Sequence, residues 1–296
     1  MLTHARLARR PRAHAALTGL TLVQFNQLLM NFIPAIRDAG SRDRRCRGIR
    51  GPGAGRPGIL DNPADALVFI LVYFRQYPTQ ELQGILFGIS QQQACALILK
   101  FRHILERALG RSLSLPNRAV GSLDTLVARV PDLRYIIDGC ERQIYRPQNG
   151  ERQKACYSGK KKRHMVKNTV VISSSDKRIL AIGITKNGAT HDKRMMDEDR
   201  FRFPDRAQLF QDTGYLGHSP DNCFINMPAK KPKGGELTVL QKFMNKAISK
   251  VRVRVEHSIA GIKRNRICSS VFRNRADGFT DQAIAISAGL FNFTIN

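Results

Sequence analysis

The sequence lacks the features of a membrane protein, a zinc finger or a small disulfide scaffold. Its longest strongly apolar run, Ala66 to Phe74, has nine residues, whereas a membrane-spanning helix needs about 20. The six cysteines are scattered without a Cys-x-x-Cys pair, which argues against a zinc finger and a disulfide-stabilised domain. These absences predict a soluble protein, and the cysteine usage fits a reducing compartment.

Acidic residues are also scarce. Only 23 Asp and Glu oppose 49 Lys and Arg in 296 residues, so the formal net charge is +26, while a hydrophobic fraction of 42% suffices for a sizeable core. A basic excess attracts polyanions because binding releases the counterions condensed on phosphates. The composition therefore favours a nucleic-acid partner, with a ribosome-associated or membrane-surface protein as alternatives.

The first third of the chain has the apolar spacing that is typical of helices. Leu20 to Ile36 predicts a helix within an N-terminal helical segment, residues 1–39. The Arg/Gly-rich residues 40–60 have almost nothing to bury and predict a flexible basic linker, either a DNA-tracking arm or a solvated loop. Helical spacing returns in residues 61–111, where Asn62-Pro63 predicts a helix start.

Two short helices joined by a tight turn are predicted within that third segment. Thr79 opens the first, Gly88 permits the turn, and Ser90 can cap the second. This layout is typical of a helix-turn-helix, whose second helix enters the major groove of DNA by its N-terminal residues. Those residues are Gln91, Gln92 and Gln93, and glutamine can make a bidentate contact with adenine. The alternative is an ordinary helical hairpin.

From Arg134 the pattern changes to short strands, and residues 131–296 form the last predicted domain. The predicted order is three strands, a helix, a strand that ends in a turn, another strand, and a long helix from Leu237 to Ile267. That order predicts an α/β fold with a mixed sheet flanked by helices.

Two carboxylates follow predicted strands. Asp138 ends the strand Tyr135 to Ile137, and Asp212 ends the strand Leu209 to Gln211. Ligands of open α/β sheets bind beyond the carboxyl ends of the strands, so these two acids would share one crevice if the strands are neighbours. The alternative for each is an aspartate that only initiates a turn.

A third carboxylate, Glu256, lies on the predicted long helix. The apolar residues around it follow helical rather than strand spacing, and Arg252, Glu256 and Lys263 share a stripe beside the buried face. The alternative is a surface pair between Arg252 and Glu256.

Three carboxylates in so basic a protein suggest a metal site. Mg²⁺ (or Mn²⁺) prefers carboxylate oxygens, and two such ions about 4 Å apart can activate a water or a 3′-hydroxyl and stabilise the leaving oxygen in phosphoryl transfer. A neighbouring basic tract would hold the DNA backbone. Its core is Lys160, Lys161, Lys162 and Arg163.

Several motifs resemble, in order, the DDE transposases of bacterial insertion sequences, in the "insertion sequence five" group related to the eukaryotic Harbinger transposases. They are IIDGCERQIYRP (136–147), QKACYSGKKKRHMVKN (153–168), ATHDKRMMDE (189–198), LFQDTGYLG (209–217), MPAKKPKGGELT (227–238), VRVRVEHSIAGIKRNRI (251–267) and FRNRADGF (272–279). Residues 69–90 also resemble that group's helix-turn-helix.

The resemblance implies a ribonuclease H-like catalytic domain after an N-terminal all-α helix-turn-helix domain. It implies that Asp138, Asp212 and Glu256 form a metal-binding DDE triad. Arg252, Glu256 and Lys263 match the family's Arg-x₃-Glu-x₆-Lys signature. The chain has Ser249 where the family often has tyrosine, and CERQI (140–144) where many relatives read Thr-Glu-Arg-Pro-Ile.

Other implied roles follow from the same resemblance. Arg252, Lys263 and Arg264 would contact phosphates, and Asp192 would be an auxiliary acid near the site, although it is also a plausible helix N-cap. The expected function is binding of terminal inverted repeats in double-stranded DNA, metal-dependent cleavage, and joining of the 3′ ends to target DNA. A homodimer acting in the bacterial cytoplasm at the nucleoid, with no membrane partner, is expected.

Two alternatives remain open at the level of sequence. One is a nuclease of the same fold that hydrolyses DNA without transferring strands. The other is an inactive or repurposed copy that only binds DNA, which the unmatched first 60 residues would favour.

Overall fold

The computed structural model describes residues 1–47, 60–118 and 133–295. The chain forms two compact units. The helical unit comprises Met1–Leu115, Arg264–Cys268 and Gly289–Asn296. The sheet unit comprises Pro116–Lys263 and Ser269–Ala288.

The first part of the helical unit contains six described helices. They are α1 (His4–Ala8), α2 (Pro11–Thr18), α3 (Leu22–Arg47), α4 (Pro63–Gln76), α5 (Gln80–Phe87) and α6 (Gln91–Arg111). Helix α4 is central because it packs against α1, α2, α3 and α6. Its residues from Ala66 to Phe74 are all buried, which explains the uniformly apolar run in the sequence.

The start and end of α4 confirm the capping signals. Asn62 Oδ1 accepts a hydrogen bond from the Ala64 N–H at 2.9 Å, and Pro63 occupies the first turn. The helix ends at Tyr77, whose backbone is left-handed (φ 48°), before Pro78.

The predicted linker, residues 40–60, is wrong in its first part. Helix α3 starts within the predicted helix Leu20–Ile36 and continues to Arg47. The segment from Ser41 to Arg47 contains no glycine or proline, and arginine is a good helix former. The dense Gly/Pro composition begins only at Gly48, and residues 48–59 lie outside the described part of the chain.

Helices α5 and α6 form the predicted helix-turn-helix. Thr79 caps α5 through a hydrogen bond from the Leu82 N–H, and Gly88 ends it in the left-handed region (φ 68°). Ser90 and Gln93 form a reciprocal capping box at the start of α6. Within the described residues, no single helix is long and apolar enough to cross a membrane; α5 and α6 reach that threshold only as a pair bent by 96°.

The last residues of the chain also belong to the helical unit. Asn292 Nδ2 donates to the Ser114 carbonyl at 2.9 Å in a buried position, and Gln24 donates to the Thr294 carbonyl at 3.4 Å. Gly289 lies against Leu115, where an added Cβ would come within 2.8 Å of a leucine methyl group. The C-terminal segment is therefore part of this unit's core packing.

The sheet unit is a mixed sheet with flanking helices, as predicted. Its strands are β1 (Arg134–Gln143), β2 (Tyr157–Ser158), β3 (Arg163–Ser173), β4 (Ile179–Ile182), β5 (Lys186–Asn187), β6 (Gln208–Phe210) and β7 (Phe224–Asn226). Its helices are α7 (Gly150–Cys156), α8 (Asp192–Asp199) and α9 (Val239–Lys263). Two further helices, α10 (Arg266–Ser269) and α11 (Phe279–Ile295), follow in the chain. Residues 119–132 lie outside the described residues.

The principal strand order is β2-β3-β1-β6-β7, with β4 and β5 also paired to β3. Strand β3 is antiparallel to β1 and β4, whereas β1, β6 and β7 are parallel. This mixed sheet is consistent with the ribonuclease H-like domain that the sequence implies. One cluster of buried side chains links β1, β3, β4 and β6 with α8. Its central members are Tyr135, Ile137, Val171, Leu180, Met196, Leu209 and Tyr215.

Three details of the sheet unit differ from the prediction. Strand β1 does not end before Asp138, because its antiparallel partner β3 continues to pair with it as far as Gln143. The long helix predicted to reach Ile267 ends at Lys263 and is followed by the short helix α10. Helix α11 was not predicted. The apolar stripe of α9 is confirmed, since Ile248, Val255, Ile259 and Ile262 are buried.

A prediction for stability concerns Gly84 in the helix-turn-helix. A Cβ added there would lie 2.6 Å from the Ile89 carbonyl oxygen, which is backbone and cannot rotate away. We expect Gly84→Ala to lower the free energy of unfolding by about 1–3 kcal/mol, as other overpacked positions do. The matched variant Gly40→Ala, in a helix with no atom within 4 Å of the added carbon, should gain up to about 1 kcal/mol. Denaturant unfolding would contradict this if both variants shifted the midpoint upward.

Candidate active site

The two strands that lead to Asp138 and Asp212 are neighbours, as the shared-crevice hypothesis required. Strands β1 and β6 are parallel, with Tyr135 opposite Leu209 and Ile136 opposite Phe210. If this register is extended by two residues along both strands, Asp138 lies opposite Asp212. The end of β6 therefore brings these two carboxylates to one place, although β1 itself continues.

Asp138 is held within the sheet. Its backbone pairs with Val170 of β3, and its Oδ1 accepts a hydrogen bond from the Gly139 N–H at 2.8 Å. Burial raises the pKa of Asp138 above its ordinary value of 3.8, and the negative charges of Asp212 and Asp192 raise this pKa further. The Gly139 N–H and the charge of Arg252 act in the opposite direction.

Asp212 starts a short turn beyond β6. Its Oδ1 accepts a hydrogen bond from the Thr213 N–H at 2.8 Å, and the chain then forms a 3₁₀ turn over Thr213–Tyr215. Its side chain is 47% exposed, which leaves carboxylate oxygen surface for a ligand. Arg252 Nη1 lies 3.5 Å from Asp212 Oδ1, so helix α9 contributes a cation to the site.

Glu256 lies apart from these two acids. It is an exposed residue of α9, one turn after Arg252. Among the residues that the structure describes, no group of three or more His, Cys, Asp or Glu side chains could hold a metal ion. The structure thus brings Asp138 and Asp212 together and leaves Glu256 outside a three-acid group.

Asp192 lies near enough to Asp138 for its negative charge to raise the pKa of that acid. It is the first residue of α8, and the N-cap is His191, so the N-cap interpretation of Asp192 is wrong. Its Oδ1 accepts from Lys167 Nζ at 3.2 Å. A Cβ added at Gly214 would lie 2.8 Å from Asp192 Oδ2, and one at Gly139 would lie 3.8 Å from Oδ1. The carboxylate therefore lies against the backbone next to Asp138 in β1 and next to the turn that follows β6.

Two residues near the acids were missed at the level of sequence. Lys167 of β3 is opposite Glu141 of β1, and its Nζ lies 3.4 Å from Glu141 Oε1; only the strand register reveals this pairing. Tyr215 is 1% exposed, and its hydroxyl has a pKa well above 10.0 because of burial and the charges of Asp138 and Asp192. The sequence feature that could have indicated Tyr215 is an aromatic residue three positions after Asp212.

The predicted DNA-contacting residues occupy several surfaces. Lys160, Lys161 and Lys162 are exposed between β2 and β3, and the exposed Arg163 opens β3. Arg252 is 16% exposed beside Asp212, and Lys263 is half-buried at the end of α9. Arg264, an exposed residue, belongs to the helical unit.

The three glutamines at the start of α6 are all exposed, but they differ in their bonding. Gln91 Nε2 donates to Gln80 Oε1 at 2.7 Å, and Gln93 Oε1 accepts from the Ser90 N–H at 3.0 Å. Both side chains are thus engaged within the protein. Gln92 projects from the first turn between them.

Comparison with known proteins identifies the family of the chain. Residues 137–292 match the family described as DDE superfamily endonuclease, a span that includes the strands, the acids and α9. The chain belongs to the DDE superfamily of endonucleases. Residues 60–111 of this DDE endonuclease match the helix-turn-helix of the same superfamily. A transposase described as probable, for insertion sequence element IS702 of Microchaete diplosiphon, is 30% identical over 231 residues, which cover 78% of this chain and 80% of the relative. No solved structure matches.

The raised pKa of Asp138 predicts a pH-dependent effect on stability. The folded state holds this proton more tightly than the unfolded chain does, so ionisation above pH 3.8 destabilises the fold progressively. In metal-free buffer, Asp138→Asn should therefore have a higher free energy of unfolding than the wild type at pH 7. The difference should shrink as the pH falls towards 3.8.

Denaturant titrations across this pH range would measure that difference. The exposed residue Asp221 provides the control Asp221→Asn. Equal stability of Asp138→Asn and wild type at every pH would contradict the assignment of a destabilising charge at Asp138.

Proposed function

We propose that this chain is a transposase that binds the terminal inverted repeats of its element, cleaves DNA by metal-dependent phosphoryl transfer, and joins the freed 3′ ends to target DNA. The observation that carries the proposal is the convergence of Asp138 and Asp212 at parallel strands β1 and β6 in a DDE endonuclease domain. The helix-turn-helix and the 30% sequence identity with the IS702 relative support the proposal.

Asp138 and Asp212 would hold a divalent cation, Mg²⁺ or Mn²⁺, with Glu256 as the third carboxylate of the DDE triad and two ions per site. The donor chemistry fits, because hard cations prefer carboxylate oxygens, and the ionised form of Asp138 is destabilised by burial and by neighbouring negative charges that a cation would offset. When bound, such ions supply nucleophile activation and charge stabilisation at the reacting phosphate. The role of Glu256 rests on the Arg-x₃-Glu-x₆-Lys signature rather than on a contact with the two aspartates.

The protein side chains would place the DNA. Gln92, with Gln91 and Gln93 beside it, would contact base edges in the major groove. The lysine cluster would hold the phosphate backbone, as would Arg252 near the acids. Lys160, Lys161, Lys162, Arg163, Lys263 and Arg264 complete this set. Because an element has two ends, the working complex would be at least a homodimer, acting at the nucleoid in the cytoplasm.

The direct test is cleavage of a labelled duplex that carries the flanking inverted repeat, with Mg²⁺ or with EDTA. Removing a metal-holding carboxylate forfeits several kcal/mol of transition-state stabilisation, so Asp212→Asn should slow metal-dependent nicking by about 100-fold or more. Glu256→Gln should behave in the same way if it completes the triad. Asp221→Asn, at an exposed position away from the strand ends, is the matched control.

The other outcomes separate the alternatives. Repeat binding without cleavage by the wild type would favour a copy that only binds DNA, and cleavage without joining of the 3′ ends would favour a nuclease. Nicking that is unaffected by Asp212→Asn would overturn the assignment of that acid.

A second prediction separates base readout from phosphate contacts. Replacing Lys160 and Lys161 together by alanine should weaken binding to repeat and scrambled duplexes alike, and should reduce the slope of log affinity against log salt by about 0.9 for each lost contact. Gln92→Ala should leave that slope unchanged and reduce discrimination between the duplexes by about 1–3 kcal/mol. Fluorescence anisotropy at several salt concentrations measures both quantities. Equal weakening on both duplexes by Gln92→Ala would exclude base readout by this residue.

A further inference from the structure

The first residues of the chain lie against the turn of the helix-turn-helix. The Leu2 N–H donates to the Leu86 carbonyl, near the end of α5, at 2.7 Å. A Cβ added at Gly88, where α5 ends, would lie 3.7 Å from Met1 Sδ. The start of the chain therefore borders the turn that leads into α6. The two family matches cover residues 60–111 and 137–292, so neither assigns a role to this segment.

Helices α1 and α2 are held in this position by contacts with α4. The His4 N–H donates to Asp65 Oδ1 at 2.6 Å near the start of α4. Near the other end of α4, Gln76 Nε2 donates to the Ala16 carbonyl at 2.7 Å. Leu7 of α1 is buried. Because these contacts involve both ends of α4, residues 1–18 are an integral part of the helical unit.

The exposed surface of α1 and α2 carries only positive charge. No Asp or Glu precedes Asp38, whereas four arginines fall within the seven residues 6–12. All of these N-terminal arginines are exposed, and none has an acidic partner among the described residues. They are Arg6, Arg9, Arg10 and Arg12. Arg6 Nη1 donates to the Met1 carbonyl at 3.0 Å, which holds this guanidinium beside the turn.

Duplex DNA is the partner that such a surface fits. Clustered cations without acidic partners repel one another, and a polyanion offsets that repulsion. In a helix-turn-helix complex, α6 would enter the major groove by its first residues, while neighbouring elements contact the phosphates that flank the groove. Gln91 follows Gly88 by three residues, so Met1 and Arg6 lie next to the end of α6 that would enter the groove.

We propose that the N-terminal arginines form a second DNA contact, which binds the phosphate backbone beside the groove that α6 occupies. This inference rests on the proposed function, since that function makes the helix-turn-helix the DNA reader. It adds to that function because it includes α1 and α2, which lie outside the family matches, in the DNA-binding surface. Phosphate contacts carry no sequence information directly, so this contact would add affinity and fix orientation.

The salt dependence of DNA binding by the full chain tests the proposal. The double variant Arg9→Gln/Arg10→Gln should weaken binding to repeat and scrambled duplexes alike. Its slope of log affinity against log salt should fall by about 1.8, that is, about 0.9 for each of two lost phosphate contacts. Arg9→Lys/Arg10→Lys should keep the wild-type slope, because lysine also binds phosphate as a point charge. An equal loss of slope in the lysine variant would overturn the proposal.

A charge-matched control removes two cations from another part of the helical unit. Arg37 and Arg107 are exposed, and Arg107 lies about 24 Å beyond Gln91 along α6 at about 1.5 Å per residue. The double variant Arg37→Gln/Arg107→Gln should keep a slope close to that of the wild type. Equal reductions by both pairs of substitutions would overturn the proposal, since they would show a response to net charge without a local contact.

The outcomes distinguish this inference from the proposed function. If the wild type prefers the repeat and Arg9→Gln/Arg10→Gln retains its salt slope, only the role of the N-terminal arginines is overturned. A folded wild-type chain that binds no duplex would overturn both. Repeat binding without cleavage, together with the expected loss of slope, would support this inference and overturn the catalytic part of the proposed function.

Discussion

The parallel pairing of β1 with β6 is the constraint on which the site depends. Two strands that are far apart in sequence are hydrogen-bonded in one register, and that register determines which residues meet where β6 ends. A shift of one residue would turn the side chains of either strand to the opposite face of the sheet. The buried partners Tyr135 and Leu209 resist such a shift because both belong to the same apolar cluster. The relative position of Asp138 and Asp212 is thus a result of core packing.

The two aspartates are held in different ways. Asp138 is flanked by a long antiparallel ladder with β3 that continues five residues beyond it. Asp212 follows a three-residue strand and caps a single 3₁₀ turn. Helix α9 then brings a cation to Asp212, and β3 brings Lys167 to Asp192. The site combines one acid in a rigid sheet with others at the ends of short elements, where small adjustments of a side chain require little rearrangement of the backbone.

Much of this arrangement could be predicted from the sequence because it depends on local signals. Asn62, Thr79 and Ser90 are caps that act within one helical turn, and the apolar stripe of α9 has a clear period. The prediction of a linker over residues 40–60 was wrong in its first part, because the dense Gly/Pro composition that indicates a linker begins only at Gly48. The predicted end of β1 was wrong because Asp-Gly usually signals a turn. Here the pairing of β1 with β3 continues through that dipeptide. The pairing of Lys167 and the orientation of Asp192 depend on contacts between distant segments, which no local pattern encodes.

The path of the chain through the two units has a consequence for how copies of such an element decay. Helix α11 contributes its first residues to the sheet unit and its last to the helical unit, where Asn292 bonds to the Ser114 carbonyl. A late frameshift or premature stop codon would therefore remove packing from the unit that carries the helix-turn-helix, even though residues 60–111 would be translated unchanged. Selection to retain DNA binding alone would still preserve the codons of the α11 residues that follow Gly289. A truncated relative with an intact helix-turn-helix sequence is thus a poor candidate for a domesticated repressor, whereas one with substituted aspartates and an intact C-terminus is a good one.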